Sequence, residues 1–142
     1  MKPRRFQSEA MMRAQERRRR EDDAPRLLQQ VSGLKELELH FEEYQGDGEV
    51  LASRHIRHVV VDRAPALFEV PCQEPKCRDG GHDLTQEIMR ALRASTLEFD
   101  GEDRCRGTLG TSECHRILRF VGRATYADRA GAEASLAERG AD

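Results

Sequence analysis

Hydrophobic and polar positions alternate most clearly in the middle of the chain. In LKELELHFEEY, Leu37, Leu39 and Phe41 alternate with charged residues, which is typical of a β-strand with one buried face. The stretch RHIRHVVVD is rich in β-branched residues and predicts a second strand. Between the two, QGDG at 45–48 has the composition of a turn. The pattern therefore predicts a pair of neighbouring strands.

Three later stretches also favour extended structure. ALFEVPC predicts a short third strand that leads to Cys72. STLEFDGED is predicted to be extended, with a turn at 100–101 where Asp precedes Gly. RILRFVGRATY predicts a strand with Ile117 on one side and with Leu118 and Phe120 on the other.

The segment between these strands predicts an amphipathic helix over 84–94. Asp83 is expected to cap its first turn, and Gln86 completes the spacing of a capping box. Apolar or small residues recur at helical spacing along one face, at Leu84, Ile88, Ala91, Leu92 and Ser95.

The order of these elements predicts an α+β fold with a small antiparallel sheet and one amphipathic helix. We expect a basic N-terminal arm over 1–26, helical from Ser8 to Arg20 or disordered, and a folded domain over 27–126. A flexible tail is expected over 127–142, because this segment is rich in alanine and is interrupted by glycines.

Composition adds a constraint on stability. Hydrophobic residues make up 37% and aromatic residues 5% of the 142 positions, which allows only a thin hydrophobic core. Small domains with thin cores commonly rely on disulfides or a structural metal ion. This directs attention to the four cysteines.

Charge is distributed unevenly along the chain. Residues 1–20 contain eight Lys or Arg and two Glu, a balance of +6, so a net charge of −2 leaves −8 for the remainder. The basic arm, and Arg17, Arg18, Arg19 and Arg20 in particular, predicts contact with nucleic acid or an acidic protein surface. The alternative is a tail that only increases solubility.

Two absences bear on the compartment. The basic start is not followed by the apolar segment of a signal peptide, and the sequence has no apolar run of about 18 residues. We therefore expect a cytoplasmic protein with no membrane partner, in which thiols stay reduced and paired cysteines favour metal binding over disulfides.

The cysteines form two pairs, Cys72 with Cys77 and Cys105 with Cys114. Four thiolates suit the tetrahedral coordination of Zn²⁺. Three alternatives remain open: a site in which His82 or His115 replaces one cysteine, free buried thiols, and disulfides or a redox switch.

Paired cysteines in loops flanked by strands resemble the zinc-ribbon and treble-clef class of domains over residues 66–122. The intervals of four and eight residues between paired cysteines are longer than the two residues usual in that class. The composite pattern of PC, DGGHDLT and the second cysteine pair also resembles a family of small bacterial proteins. The resemblance implies a structural zinc ion held by all four cysteines.

The sequence identifies no catalytic residues. HFE followed by PCQEPKC loosely resembles the zinc-deaminase signature, in which His40, Cys72 and Cys77 would bind the metal and Glu42 would move protons. The thiol spacing and the strand pattern around His40 disagree with that signature. We expect a non-enzymatic zinc protein with a nucleic-acid-associated or regulatory role. The alternatives are a protein-interaction adaptor and, more remotely, a zinc hydrolase or deaminase-like enzyme.

Overall fold

A central sheet of four antiparallel strands organises the molecule, in the order β2-β1-β8-β5. The computed structural model describes residues 2–46 and 48–127, with side chains from position 11 onward. In this part of the chain the elements are α1 (Lys2–Asp23), α2 (Leu27–Gln30), β1 (Leu34–Tyr44), β2 (Leu51–Val59), β3 (Glu69–Val70), β4 (His82–Asp83), α3 (Thr85–Arg93), β5 (Glu98–Arg104), β6 (Thr108–Leu109), β7 (Ser112–Glu113) and β8 (Ile117–Tyr126). The predicted α+β class with an antiparallel sheet is confirmed.

One face of the sheet carries the hydrophobic core. Alternate residues of β1 and β8 face inward because successive side chains of a strand point to opposite faces. The predicted amphipathic helix is present as α3, and its buried residues belong to the same core as this face. The buried apolar residues of these three elements and of the segment before α3 form one cluster, which includes Leu37, Leu39, Phe41, Leu84, Ile88, Met89, Leu92, Leu118, Phe120, Ala124 and Tyr126.

The opposite face, here called the outer face, carries two charged rows that run across all four strands. In one row, the paired positions are Arg54, Glu42, Arg119 and Glu102. Arg54 lies 2.9 Å from Glu42, and Arg119 lies 2.9 Å from Glu102. Opposite charges directly across strands stabilise a sheet.

The second charged row repeats this order of sign, through His58, Glu38, Arg123 and Glu98. His58 Nδ1 lies 3.6 Å from Glu38 Oε2. Between the two charged rows lies a third row, formed by Ile56, His40, Val121 and Asp100. The strands therefore alternate in sign, from basic β2 through acidic β1 and basic β8 to acidic β5.

The predicted turn at 100–101 is wrong, because both residues lie inside β5. Gly101 pairs with Phe120, and a Cβ built on Gly101 would meet the Phe120 ring at 2.6 Å. Phe99 pairs with Gly122 and overlaps a Cβ built there in the same way. The two glycines therefore make room for aromatic rings on adjacent strands, which is a packing role and not a turn.

The start of α3 also differs from the sequence prediction. The residue at the cap position is Leu84, and no side-chain hydrogen bond caps the helix there. Asp83 lies in β4, and its carboxylate accepts a bond of 3.1 Å from the backbone N–H of Thr85. The predicted capping by Asp83 and Gln86 is therefore wrong in its position, although Asp83 still satisfies one free amide.

The N-terminal arm is a helix of 22 residues that begins at Lys2 and not at Ser8. It ends at Asp23, three residues beyond the predicted end at Arg20 and two residues before Pro25, which disfavours helical angles in the residue that precedes it. No helix in the described ranges is long and apolar enough to cross a membrane. Most of the predicted tail, residues 128–142, lies outside the described residues, and the predicted division at 26 and 126 stays a prediction.

Candidate metal centre

Two loops at one end of the sheet carry the four cysteines. Cys72 follows β3 by two residues, and Cys77 lies in the segment between β3 and β4. Cys105 comes directly after β5, and Cys114 directly after β7. All four Sγ atoms lie within 4.8 Å of one another. Residues 42 positions apart in sequence thus meet in one cluster.

Two short distances in this thiol cluster join one loop to the other. Cys72 Sγ lies 3.7 Å from Cys114 Sγ, and Cys77 Sγ lies 3.6 Å from Cys105 Sγ. All four cysteines are free, since a disulfide would bring its sulfur atoms to about 2.05 Å. A zinc–sulfur bond of about 2.3 Å places the corners of a regular tetrahedron about 3.8 Å apart. The cluster thus approaches the spacing of a four-thiolate metal site.

Backbone hydrogen bonds hold the two loops together independently of the thiols. Arg78 and Thr108 exchange two N–H to carbonyl bonds, each of 2.9 Å. Within the second loop, the N–H of Cys114 donates to the carbonyl of Gly107 at 2.8 Å. The N–H of Gly107 in turn lies 3.4 Å from the Sγ of Cys105. An amide that points at a sulfur atom stabilises it as a thiolate.

Two glycines allow the backbone to approach the sulfur atoms closely. A Cβ built on Gly80 would overlap the Sγ atoms of Cys77 and Cys105. A Cβ built on Gly107 would overlap the Sγ of Cys77. Gly81 has a φ of +140°, a backbone conformation that residues with a Cβ rarely adopt. The glycines of the first loop therefore shape the thiol cluster, as well as its exit toward α3.

The thiols perturb one another's ionisation. Burial raises the pKa of Cys72, and the neighbouring thiols raise it further. Burial and the hydrogen bond with Cys105 raise the pKa of Cys77 to about 12. Burial acts in the same direction on Cys105, but N–H donors from Gly107 and Gly81 reverse it and lower its pKa. The raised pKa values of Cys72 and Cys77 favour their protonated forms, and a divalent metal ion would favour release of these protons.

A buried carboxylate supports the first loop. Glu43 of β1 is only 2% exposed, and its Oε1 lies 3.8 Å from the Sγ of Cys72. The backbone N–H of Gln73 donates to both Glu43 oxygens at 3.2 Å. Arg116 bridges Glu43 and Glu74, with both distances at 3.1 Å. This network fixes the loop against the end of β1 and balances the charge of the buried carboxylate.

Sequence reasoning did not identify Glu43, although a signal was present. Glu43 continues the series Leu37, Leu39 and Phe41, whose members all face the core. A charged residue at a buried position of an alternating strand requires a partner. The sequence shows the position of Glu43 in the alternation, but not that its partners are Arg116 and the amide of Gln73.

The two histidines considered as reserve ligands lie in different surroundings. The side chain of His82 is fully buried, and its Nδ1 lies 2.7 Å from Asp103 Oδ2. Among the described residues, its Nε2 has no hydrogen-bond partner. His115 Nε2 lies 3.0 Å from Glu113 Oε2 at the surface. The cluster found in the described residues consists of the four thiols, and the reserve role of His82 or His115 stays a prediction.

The residues of the deaminase-like pattern do not come together. His40 and Glu42 lie on the outer face of β1, where Glu42 pairs with Arg54. Successive residues of a strand point to opposite faces, so Glu43 and not Glu42 faces the thiol cluster. Neither His40 nor Glu42 belongs to the group of close metal-ligating atoms in the described residues.

The helix α1 passes beside the first cysteine loop. A groove of about 640 Å³ separates them, lined by Arg13, Arg17 and Arg20 of α1 and by Cys72, Cys77, Asp79, His82, Asp103, Arg104 and Arg106 among others. Arg20 donates two hydrogen bonds to the Glu69 carboxylate, at 2.8 and 2.9 Å. This ion pair fixes the end of α1 against β3.

The arginines of α1 and those around the second cysteine pair divide into two groups. Arg116 and Arg119 form ion pairs with Glu43 and Glu102, and Arg123 lies between two acidic residues of the sheet. By contrast, Arg18, Arg19, Arg104 and Arg106 are exposed. The described residues give none of these four an ion pair. Free basic charge therefore lies on α1 and beside Cys105, as it does at other exposed positions such as Arg63 and Arg90.

The fold and the site together define a small α+β protein with a four-cysteine cluster that could bind a metal ion. Comparisons with protein-family models, with curated proteins and with solved structures returned no match to this chain. The resemblance to zinc ribbons is therefore not confirmed.

Proposed function

We propose that the four cysteines hold a structural Zn²⁺ ion. The observation that carries this proposal is the convergence of four Sγ atoms from two loops within 4.8 Å. A set of four sulfur ligands in tetrahedral arrangement suits zinc or iron, and zinc is the usual ion of structural four-cysteine sites. The four free thiols also agree with a cytoplasmic, reducing location.

A structural role fits the ligand set better than a catalytic role. Catalytic zinc normally keeps a coordination position for water, whereas four thiolates fill all positions. An ion with four thiolates is also an anionic centre, and Arg116 lies close enough to Cys72 for the two charges to interact. This arrangement favours a closed, charge-compensated site over an enzyme of the hydrolase or deaminase type.

We further propose that the protein acts as a nucleic-acid-associated module. The support is that Arg18 and Arg19 of α1, and Arg104 and Arg106 beside the second cysteine pair, are exposed and form no ion pair within the described residues. Arginines without acidic partners suit phosphate contacts. Arg17 lines the groove between the two regions, whereas Arg20 is occupied by Glu69 and would serve to position the helix.

Metal content tests the first proposal. Purified protein should contain one equivalent of zinc per chain, and X-ray absorption should show four sulfur ligands at about 2.3 Å. Cys77→Ser should reduce the zinc affinity strongly, whereas His40→Ala, a control on the outer face of β1, should retain the metal. A metal-free wild type whose stability is unchanged by a chelator would contradict the proposal.

Nucleic-acid binding at low salt tests the second proposal. The double variant Arg18→Gln with Arg19→Gln should weaken binding and reduce the slope of log affinity against log salt by roughly two. The matched control, Arg63→Gln with Arg90→Gln, removes two exposed arginines elsewhere and should leave binding unchanged. If the two double variants weaken binding equally, the interaction depends on net charge and not on the position of the arginines.

A different result would favour the adaptor alternative, namely a protein partner that co-purifies at high salt after nuclease treatment.

A further inference from the structure

Both edges of the four-stranded sheet have unused backbone hydrogen-bonding groups. The strand β2 pairs with β1 on one side, and β5 pairs with β8 on one side. Within the ranges 2–46 and 48–127, no segment pairs with the other side of either strand. These edges are nine and seven residues long. Exposed edges of this length are templates for further strand pairing.

The two edges differ in charge in a regular way. On the outer face, β2 ends the charged rows with Arg54 and His58. At the opposite edge, β5 ends the same rows with Glu102 and Glu98. Each row therefore begins with a basic residue and ends with an acidic one. A second copy placed beside the first would continue the alternation of sign without interruption.

We propose that the β2 edge of one copy pairs with the β5 edge of another, so that the sheet continues from chain to chain. Strands alternate in direction across the sheet, and the new pair is antiparallel as the others are. The register that continues the rows places Arg54 opposite Glu102, His58 opposite Glu98 and Ile56 opposite Asp100.

The inner face accepts the same register. Gly101 has no side chain and would lie opposite His55, a ring that already stacks on Phe41 at 4.8 Å within its own chain. Arg57 would lie opposite Phe99, where a guanidinium can contact an aromatic ring. No inner-face pair in this register brings two like charges together.

Charge also disfavours the symmetric alternatives. Pairing β2 with β2 would bring together the arginines Arg54 and Arg57 of two copies, and pairing β5 with β5 would bring together their acidic residues. Like charges directly opposite one another destabilise a sheet. The favoured contact is therefore heterologous, which generates an open chain of subunits and not a closed dimer.

Sedimentation equilibrium on the full, metal-loaded chain at low salt tests this contact. The average mass should rise steadily with concentration and not stop at the mass of a dimer. It should fall when salt is raised, because exposed charges are screened over about 10 Å at 0.1 M. A protein that stays monomeric at low salt up to millimolar concentration would overturn the proposal. In that case the charged side chains on the edge strands would protect the edges against pairing and would not direct it.

The central row supplies a charge-swap test, since Ile56 is 52% exposed and Asp100 is also exposed. Ile56→Asp would face Asp100 of the next copy, and we expect the association constant to fall about tenfold. Adding Asp100→Lys to this variant should restore association. Val60→Asp, just beyond β2 at a position 59% exposed, is the control for added charge outside the strand pairing and should have a much smaller effect. Loss of association in Ile56→Asp without restoration in the double variant would overturn the β2–β5 assignment.

Discussion

The two ends of the molecule are built on different principles. The sheet and α3 enclose a continuous apolar cluster in which Leu39, Leu92 and Leu118 are fully buried. The cysteine end instead consists of loops and two-residue strands, organised around sulfur atoms, close glycine contacts and one buried carboxylate. Apolar burial needs no ligand, whereas a cluster of thiols gains order from an ion. The comparison predicts that the two ends respond to different perturbations.

Removal of a metal ligand should have the largest effect, confined to the cysteine end. Relative to the metal-loaded wild type, Cys105→Ser should lower the free energy of unfolding by at least about 4 kcal/mol, because the contribution of metal binding is lost. Limited proteolysis should then cut within 71–83 and 105–116, while circular dichroism retains the sheet.

Chelator supplies the control for this first prediction. It should destabilise the wild type and have no further effect on Cys105→Ser. Complete loss of sheet structure in the variant would contradict the separation of the two ends, since it would make the apolar core dependent on the metal.

A cavity in the hydrophobic core should affect only the end formed by the sheet and α3. Leu39→Ala removes a fully buried side chain from the middle of β1, and we expect a loss of about 2–5 kcal/mol in the free energy of unfolding. The zinc content of the folded protein should be unchanged. Denaturant titration with parallel metal analysis checks this, and substoichiometric zinc in the folded variant would argue against independent ends.

Glu43 connects the two ends, so its replacement should affect both. Glu43→Gln leaves Arg116 with Glu74 alone, and we expect a loss of about 2 kcal/mol together with weaker metal binding. Glu42→Gln, the neighbour on the outer face of the same strand, is the control. Isothermal denaturation and zinc competition measure the two effects, and equal results for both variants would remove the proposed role of Glu43.

The pH dependence of the metal-free protein should report the thiol cluster. The pKa values of Cys72 and Cys77 are raised in the folded chain, so folding favours their protonated forms. The resulting contribution to the free energy of unfolding is complete below about pH 8.5, the ordinary pKa of a free thiol. It is lost as the pH rises toward 12. Denaturant titrations should therefore show falling stability from about pH 8.5 to about pH 10.5, above the range in which the lowered pKa of Cys105 acts in the opposite direction. The metal-loaded protein should not show this loss, because its ligands are already thiolates.

The smallest effect is expected where α1 joins the sheet. Arg20 is half-exposed in its pair with Glu69, and exposed pairs contribute little to global stability. Arg20→Gln should leave thermal unfolding unchanged but increase hydrogen exchange in α1. Arg19→Gln, its exposed neighbour, should change neither. A clear fall in the unfolding temperature of Arg20→Gln would show that α1 belongs to the core.

The sequence predicts the sheet well and the loops poorly, for a physical reason. Alternation in β1 and helical spacing in α3 record burial, which is a local pattern. Within β5, Asp100 and Gly101 have the composition of a turn, but the deciding contact is with Phe120 on another strand. Local propensity cannot contain that information, because cross-strand packing decides it.

The candidate site shows the same division. The four cysteines could be grouped from their residue type and count alone. Their cross-loop arrangement, with Cys72 near Cys114 and Cys77 near Cys105, depends on how two distant loops meet. The roles of Gly80 and Gly107 follow from the distance between backbone and sulfur and have no counterpart in sequence spacing.

The paired hydrogen bonds between Arg78 and Thr108 have a consequence for biogenesis. They join the two loops through backbone atoms, so only part of each loop is left for a metal ion to order. The sheet and α3 would fold in every new chain, and loading of the cysteine end would follow as a separate event. The cellular supply of metal would then decide in how many copies the cysteine end is ordered, without limiting how many copies fold the sheet.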